Sequence, residues 1–372
     1  MNQKIAIFIP NANYGGAQKV IINLIEEFSK QDIFIDLLFG KAEGIYLNQI
    51  PKNVNIVDLD SSRLIKTLPK LVNYLKKQKP DVLMSTPAVA NVVATIAKQL
   101  SGVSTKLILR EAIHYSTEKA NVSFSKQPTF WIALRLVPLV YPWADKIIAV
   151  NPKVAKDIAK VTNISLDKID SINNPTITPL LLEKAKDPIK ETWFQQIDRD
   201  KNYIILGIGR LVNQKDFSTL IRAFAIIRTQ YQAKLIILGE GENRNQLENL
   251  ISDLNLKTDV LLPGFISNPY TYMAKASVFV LSSAWEGSPN TLVEAMACGT
   301  PVVSTDCLSG PREILENGKY GRLVKVGNYE ALAEAIIQTL ISDNDIDALK
   351  ERAKDFSVEN IAQEYLQTLL KN

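Results

Sequence analysis

Four charged side chains stand where they could do chemistry: Arg210, Lys215, Glu286 and Glu294. Residues 282–304 read SSAWEGSPNTLVEAMACGTPVVS. The apolar run ending at Ser283 predicts a strand, and the short loop after it carries Glu286. Ser288 is expected as a helix N-cap, Pro289 as the first helical position, and the helix over Asn290 to Ala297. Gly299 stands where a left-handed cap is wanted, before a strand from Pro301 to Val303. A helix N-terminus at a strand's carboxyl end offers unpaired N–H groups and a positive dipole end to an anion. Carboxylates beside it cannot bind the phosphate, but they suit the hydroxyls of a sugar or ribose. Arg210 and Lys215 follow another apolar run, Tyr203 to Ile208. A planar guanidinium fork and a point charge both suit a pyrophosphate. The combination reads as a site for a sugar attached to a phosphate.

Such a site needs strands that end together. Apolar runs at Ile5–Ile9, Ile33–Phe39, Val54–Leu59, Val82–Ser85, Leu107–Leu109 and Lys146–Val150 alternate with helical patterns such as Ala17–Phe28 and Leu64–Lys77. A second series follows at Tyr203–Ile208, Ala233–Leu238, Val260–Leu262, Val278–Leu281 and Pro301–Val303. This alternation predicts an α/β fold with two Rossmann-like, doubly wound parallel sheets, whose ligands lie beyond the carboxyl ends of the strands. A length of 372 residues fits two domains. The pattern breaks from Asn173-Asn174-Pro175 to Tyr203, which places the domains at 1–180 and 181–356. Ser357 can cap a last helix over 357–372, with Ile361, Tyr365 and Leu369 on one face.

Glu286 and Glu294, with seven residues between them and the second inside EAMACGTPVV, resemble the E-x7-E signature of retaining GT-B glycosyltransferases of family 4. The segment GRL-x3-K, from Gly209 to Lys215, matches the same family, with Asp216 where glycine is common. The resemblance implies a GT-B fold: a first, acceptor-binding domain and a second, nucleotide-sugar-binding domain facing a cleft, with the last helix returning to the first domain. It assigns Glu294 to the ribose hydroxyls and Glu286 to the transferred sugar. The amides of Asn290, Thr291 and Leu292 go to the sugar and distal phosphate, and Arg210 and Lys215 to the leaving pyrophosphate. Gly209 falls in the donor loop, and Phe265 and Ile266 beside the nucleotide base, although Phe265 reads equally as core; Gly239, at the end of an apolar run, allows close approach of the backbone to the donor or makes a tight turn. Gly15 and Gly16, in NANYGGAQKV, resemble the family's GGAE-type loop at the donor phosphates, with Gln18 in place of glutamate; a plain strand-to-helix turn gives the same pattern. His114, the only histidine, is expected to face the reacting sugar or to be structural. Arg110 and Glu111 are expected at the acceptor. Residues 309–315, SGPREIL, resemble bacterial members that act on acetamido-sugars or related hexoses.

The implied reaction moves a hexose or acetamido-hexose from a nucleotide diphosphate sugar, with UDP expected, to a glycan or polyprenyl-diphosphate-linked acceptor of bacterial surface polysaccharide. The alternatives are a nucleotide-sugar epimerase, which a single histidine disfavours, and a sugar-nucleotide-binding module without catalysis. No cofactor and no metal are expected. Asp58-x-Asp60 reads as a strand-end turn, and Asp343, Asp345 and Asp347 as a helix-capping loop without the glycine of a calcium loop. Cys298 and Cys307 form no metal or disulfide pattern. Residues 1–180 hold 22 Lys and Arg against 14 Asp and Glu, a net of +8, and the remainder holds 21 against 25, a net of −4. The basic half suits an anionic membrane surface or is merely solvated; no nucleic-acid motif accompanies it. With no secretory signal and no run of 18 apolar residues, the expected place is cytoplasmic, with peripheral membrane contact an option. The apolar stretch Phe130–Trp143, flanked by Lys126 and Lys146, reads as an interfacial segment or, preferably, a core helix broken at Pro138.

Overall fold

The computed structural model describes residues 3–13, 15–125 and 127–370; Lys126 lies outside them. The chain divides into two compact units, one of residues 1–175 with 358–372 and one of 176–357. The change of unit comes five residues before the expected position 180. The cause is local pairing: the amides of Thr176 and Ile177 both donate to the Phe356 carbonyl, at 2.9 and 3.0 Å, so this segment belongs with the second unit.

The first unit holds β1 (Lys4–Ile9), β2 (Phe34–Phe39), β3 (Asn55–Asp58), β4 (Val82–Ser85), β5 (Lys106–Glu111), β6 (Lys146–Ala149) and β7 (Ile169–Ser171). They form one parallel sheet in the order β3-β2-β1-β4-β5-β6-β7. The second unit holds β8 (Tyr203–Ile208), β9 (Ala233–Leu238), β10 (Val260–Gly264), β11 (Val278–Leu281), β12 (Val302–Thr305) and β13 (Arg322–Val324). Its order, β10-β9-β8-β11-β12-β13, repeats the same winding. The order of winding reverses once in each all-parallel sheet, between β1 and β4 and between β8 and β11, and ligand crevices form at such switch points. The edge strands β7 and β13 lie outside the apolar runs; each has three residues, only one of them fully buried between the two.

Both sheets are covered on two faces, as near-continuous apolar strands require. Along β1, Ala6 and Phe8 enter one core while Ile5, Ile7 and Ile9 enter the other. Helix Val358–Leu370 closes the second of these cores: Ile361, Tyr365 and Leu369 are buried among Val20, Leu24 and Phe28 of helix Gly16–Phe28. In the second unit Ile204 and Leu206 face one core and Ile205 the other.

Candidate active site

The loops after β8 and β11 lie side by side across the switch point of the second sheet, and polar bonds stitch them together. The Ala284 amide donates to the Gln214 carbonyl (2.8 Å), and the Gln214 side-chain amide donates to the Trp285 carbonyl (3.0 Å). The Ser282 hydroxyl donates to the Lys215 carbonyl (2.8 Å). From below, Thr305 donates to the Ser283 carbonyl (2.6 Å) and Ser309 to the Gly287 carbonyl (2.9 Å). This lattice brings Lys215 and Glu286 together: Lys215 Nζ and Ser283 Oγ both donate to Glu286 Oε1, at 2.5 and 2.6 Å. The pair is mostly shielded, and Glu286 and Glu294 are both buried. Burial, then the charge of Glu286, pushes the Cys307 thiol up to about 12; burial, then the charge of Glu294, does the same to Cys298. Neither thiol is a nucleophile at neutral pH.

The glycines serve close packing of backbone on backbone. A Cβ at Gly239, where φ is +145°, would fall 1.9 Å from the Gly209 carbonyl oxygen, and one at Gly241 would fall 2.3 Å from that of Leu211. Gly209 in turn lets the stem of Lys215 cross its Cα, 3.2 Å from where a Cβ would sit. Asp216 occupies the left-handed region (φ 42°), which explains why glycine suits this position. The aspartate offsets that cost by capping helix Phe217–Arg228, accepting from the Thr219 amide and hydroxyl at 3.3 and 2.6 Å.

Helix Asn290–Ala297 starts where expected, but its cap differs. Pro289 is the N-cap, in an extended conformation, and no side chain caps the helix, so Ser288 lies outside it. The Leu292 amide donates to the Pro289 carbonyl (3.1 Å), which corrects the expectation that it is free for a ligand. Thr291 Oγ1 is buried with no partner among the described residues, and Asn290 Oδ1 accepts from Thr176 (3.4 Å). Arg210 is exposed, and no ion pair holds its guanidinium among the described residues. Phe265 is 49% exposed and Ile266 half-buried, so Phe265 is no core residue.

The first unit treats its strand ends differently. β5 runs two residues beyond the apolar run that predicts it, so Arg110 and Glu111 sit inside the sheet, fully buried. The Arg110 guanidinium donates to Tyr365 Oη (3.0 Å), Asn174 Oδ1 (2.5 Å) and Thr86 Oγ1 (3.4 Å), tying the last helix to the sheet. Glu111 accepts from Tyr141 Oη (2.7 Å) and from the amides of Ala112 and Ile113 (3.0 and 3.3 Å). Burial raises its carboxyl to about 7 against the pull of those donors. Neither side chain can meet an acceptor, which corrects that expectation. His114 lies three residues on, with Nδ1 engaged by Thr117 Oγ1 (3.0 Å) and 3.5 Å from Asp157. Gly15 is extended and precedes Gly16, the first residue of helix Gly16–Phe28; a Cβ on Gly15 would press on Gln18. The Asp58 side chain accepts from the Asp60 amide (2.7 Å), closing a turn, and Asp345 caps helix Ile346–Lys354. Among the described residues no group of three or more His, Cys, Asp or Glu is placed to hold a metal. Sequence reasoning missed Gln214, Ser282, Thr305 and Ser309, whose bonds to distant backbone leave no local signal, and Ser283, whose hydroxyl reaches the Glu286 carboxylate three residues on.

Residues 189–356 match the family model of glycosyl transferases group 1, and residues 14–178 that of glycosyltransferase family 4. The chain is 32% identical over 385 residues to the N-acetylgalactosamine-N,N'-diacetylbacillosaminyl-diphospho-undecaprenol 4-alpha-N-acetylgalactosaminyltransferase of Campylobacter jejuni, covering 99% of this chain and 100% of that one. It is 25% identical to a GalNAc-alpha-(1->4)-GalNAc-alpha-(1->3)-diNAcBac-PP-undecaprenol alpha-1,4-N-acetyl-D-galactosaminyltransferase of the same organism, over 98% of each. Among solved structures, Anabaena HepE in complex with UDP and glucose superposes with a TM-score of 0.78 at 22% identity, over 100% of both chains, a likeness of fold. Two family models that between them match most of each unit, and a full-length relative above 30% identity, fix the family: the chain belongs to glycosyltransferase family 4, the group 1 glycosyl transferases of GT-B fold.

Proposed function

We propose that the protein transfers a hexose or acetamido-hexose from a UDP-sugar to a polyprenyl-diphosphate-linked glycan in bacterial surface polysaccharide synthesis, with retention of the anomeric configuration. The observation that carries this is the Lys215–Glu286 pair on two stitched strand-end loops, with an exposed, uncommitted guanidinium at Arg210. In this reading the second domain binds the donor. Arg210 and Lys215 neutralise the departing diphosphate, Glu286 orients the sugar hydroxyls, and Glu294 holds the ribose. The amides of Asn290 and Thr291 face the distal phosphate. Phe265 and Ile266 flank the base, and Gly209 and Gly239 let the loops close on the donor. The first domain binds the acceptor, with Gly15 and Gly16 near the phosphates and His114 toward the transferred hexose. The bond from C1 to the phosphate oxygen breaks, the bond from C1 to the acceptor oxygen forms on the same face, and the acceptor's proton passes to the departing diphosphate. Electrostatic stabilisation of that diphosphate carries much of the rate. A carboxylate oxygen that already accepts two hydrogen bonds, as Glu286 Oε1 does, acts as a positioner. No metal takes part.

The names of the Campylobacter relatives support a lipid-linked acceptor, and an acceptor of that kind supports a position in the cytoplasm at the inner face of the membrane. The +8 charge of residues 1–180 supports an anionic surface as its resting place. Among the described residues no helix is long and apolar enough to cross a membrane. A thermal-shift screen of UDP-, GDP- and ADP-sugars, followed by proton NMR of the product, tests the reading. A UDP-sugar should stabilise most and an α-linked donor should give an α-linked product; a β-linked product would overturn retention.

A further inference from the structure

β9 and β10 stay in register as far as Leu261, which pairs with Ile236; the next pair is Gly264 with Leu238. Leu262 and Pro263 therefore stand opposite the single residue Ile237, a bulge at the end of β10. Pro263 has no amide to give the ladder, and Gly264 turns the backbone into the left-handed region (φ +91°). Phe265 and Ile266 follow directly on this bend. One side chain holds it. Arg244 Nη1 donates to the Leu262 carbonyl (3.2 Å) and to Glu248 Oε1 (2.9 Å). Its Nε and Nη2 donate to the two carboxylate oxygens of Glu240, at 2.9 and 2.6 Å. A Cβ on Gly264 would fall 2.8 Å from Glu240 Oε1, so that carboxylate lies against the bend. The Gly239 amide donates to the Gly264 carbonyl (2.9 Å), which ties the bend to the end of β9 as well. Local rules do not account for an arginine here. It is the first residue of helix Arg244–Asp253, where a cation opposes the helix dipole. Glu240 and Glu248 are exposed, and ion pairs with exposed carboxylates add little stability. What arginine supplies is direction: a planar fork that grips one carboxylate on two bonds while reaching a carbonyl.

We propose that Arg244 is a positioning residue for the nucleobase of the donor, and through that position sets which base is preferred. By holding the Leu262 carbonyl and the Glu240 carboxylate together it fixes the bulge, and with it the backbone and side chains of Phe265 and Ile266. A site discriminates between bases only if its polar groups and its ring contact are held to a fraction of an ångström, and a bulge without a clamp leaves them loose. The inference rests on the reading above that the base lies at Phe265 and Ile266. Arg244 itself touches neither base nor phosphate in this account; it acts through the loop.

Calorimetry on the full-length protein with UDP, GDP, ADP and inorganic pyrophosphate tests it. The wild type should bind UDP more tightly than GDP or ADP. Arg244→Ala should weaken UDP by about 10-fold or more and narrow its lead over the other two, with pyrophosphate affinity within about 2-fold of wild type. Arg244→Lys keeps the charge and loses the fork, so it should behave like the alanine variant. Glu240→Gln loosens the same fork without emptying its place, and its base preference should fall by about 3-fold or more; this variant decides the matter if Arg244→Ala does not fold. Base preference unchanged in the folded variants, full recovery in Arg244→Lys, or pyrophosphate weakened as much as UDP would each overturn the proposal. So would a wild type that binds all three nucleotides and pyrophosphate alike. If GDP or ADP binds best and Arg244→Ala erases that preference, the UDP reading fails and the role of Arg244 stands. If UDP binds best by the same factor in both proteins, the reverse holds.

Discussion

The two sheets share one winding but use their strand ends in opposite ways. At the end of β5, Arg110 and Glu111 are sealed inside the first unit, each committed to neighbouring side chains or amides. At the end of β8, Arg210 is exposed and Lys215 is held by a single carboxylate. A charge near a strand's carboxyl end is therefore no sign of a ligand by itself. What separates the two is whether the neighbourhood already satisfies the charge. Arg110 is a structural tie; Arg210 is available.

Substitutions sharpen this contrast. Lys215→Ala should have the largest effect because it touches both roles. It strands the Glu286 carboxylate in a mostly buried place, costing about 3 kcal/mol of stability, and removes a proposed diphosphate partner, which should lower kcat/KM by about 100-fold or more. Arg210→Ala should show the catalytic loss alone, with stability within about 0.5 kcal/mol of wild type. Arg110→Ala is the mirror case. It empties a fully buried volume and frees Tyr365 and Asn174 from their partner, so chemical denaturation should show a loss of about 3 kcal/mol or more. If Arg210→Ala unfolded the protein and Arg110→Ala only slowed it, the contrast would be inverted.

Glu111 gives a pH signature. Its folded carboxyl is raised, to about 7, above its ordinary 4.5. The folded state therefore binds the proton more tightly, and the stabilisation is fully present below the unfolded value. It is lost as pH rises from about 4.5 to about 7, on the order of 3 kcal/mol in all. Denaturation profiles of wild type and Glu111→Gln should converge at the acid end and diverge toward pH 7, the glutamine variant being flatter; parallel profiles would contradict a proton held by burial. The smallest effect is at Asp216. Asp216→Gly exchanges a cap for an unstrained left-handed residue and should change stability by only a few tenths of a kcal/mol. Asp216→Ala loses the cap and keeps the strain, and should cost about 2 kcal/mol.

The alternation of apolar runs made both sheets and the helix Asn290–Ala297 legible, because parallel strands buried on two faces leave continuous apolar stretches. The three-residue edge strands β7 and β13 left none. The apolar run of β5 stops two residues short of the strand because the sheet continues through an arginine and a glutamate, residue types that periodicity assigns to a surface. That shortfall put both side chains at an acceptor. The half-core, half-open helix at 128–140 was equally ambiguous: its sequence is apolar nearly all round, and only tertiary packing decides which face is covered. The Lys215–Glu286 contact joins residues 71 apart and depends on backbone bonds from Gln214 and Ser282 that no local pattern announces.

The strand-end loops of the second sheet are proposed to hold the nucleotide of the donor. Calorimetric titration with UDP tests it most directly, comparing wild type with Glu294→Ala. Glu294 sits buried in helix Asn290–Ala297, where its carboxylate is proposed to accept the ribose hydroxyls. Loss of two charge-assisted hydrogen bonds should weaken UDP binding by at least about 10-fold while leaving the fold intact by circular dichroism. Identical UDP affinity in the two proteins would contradict the placement of the donor.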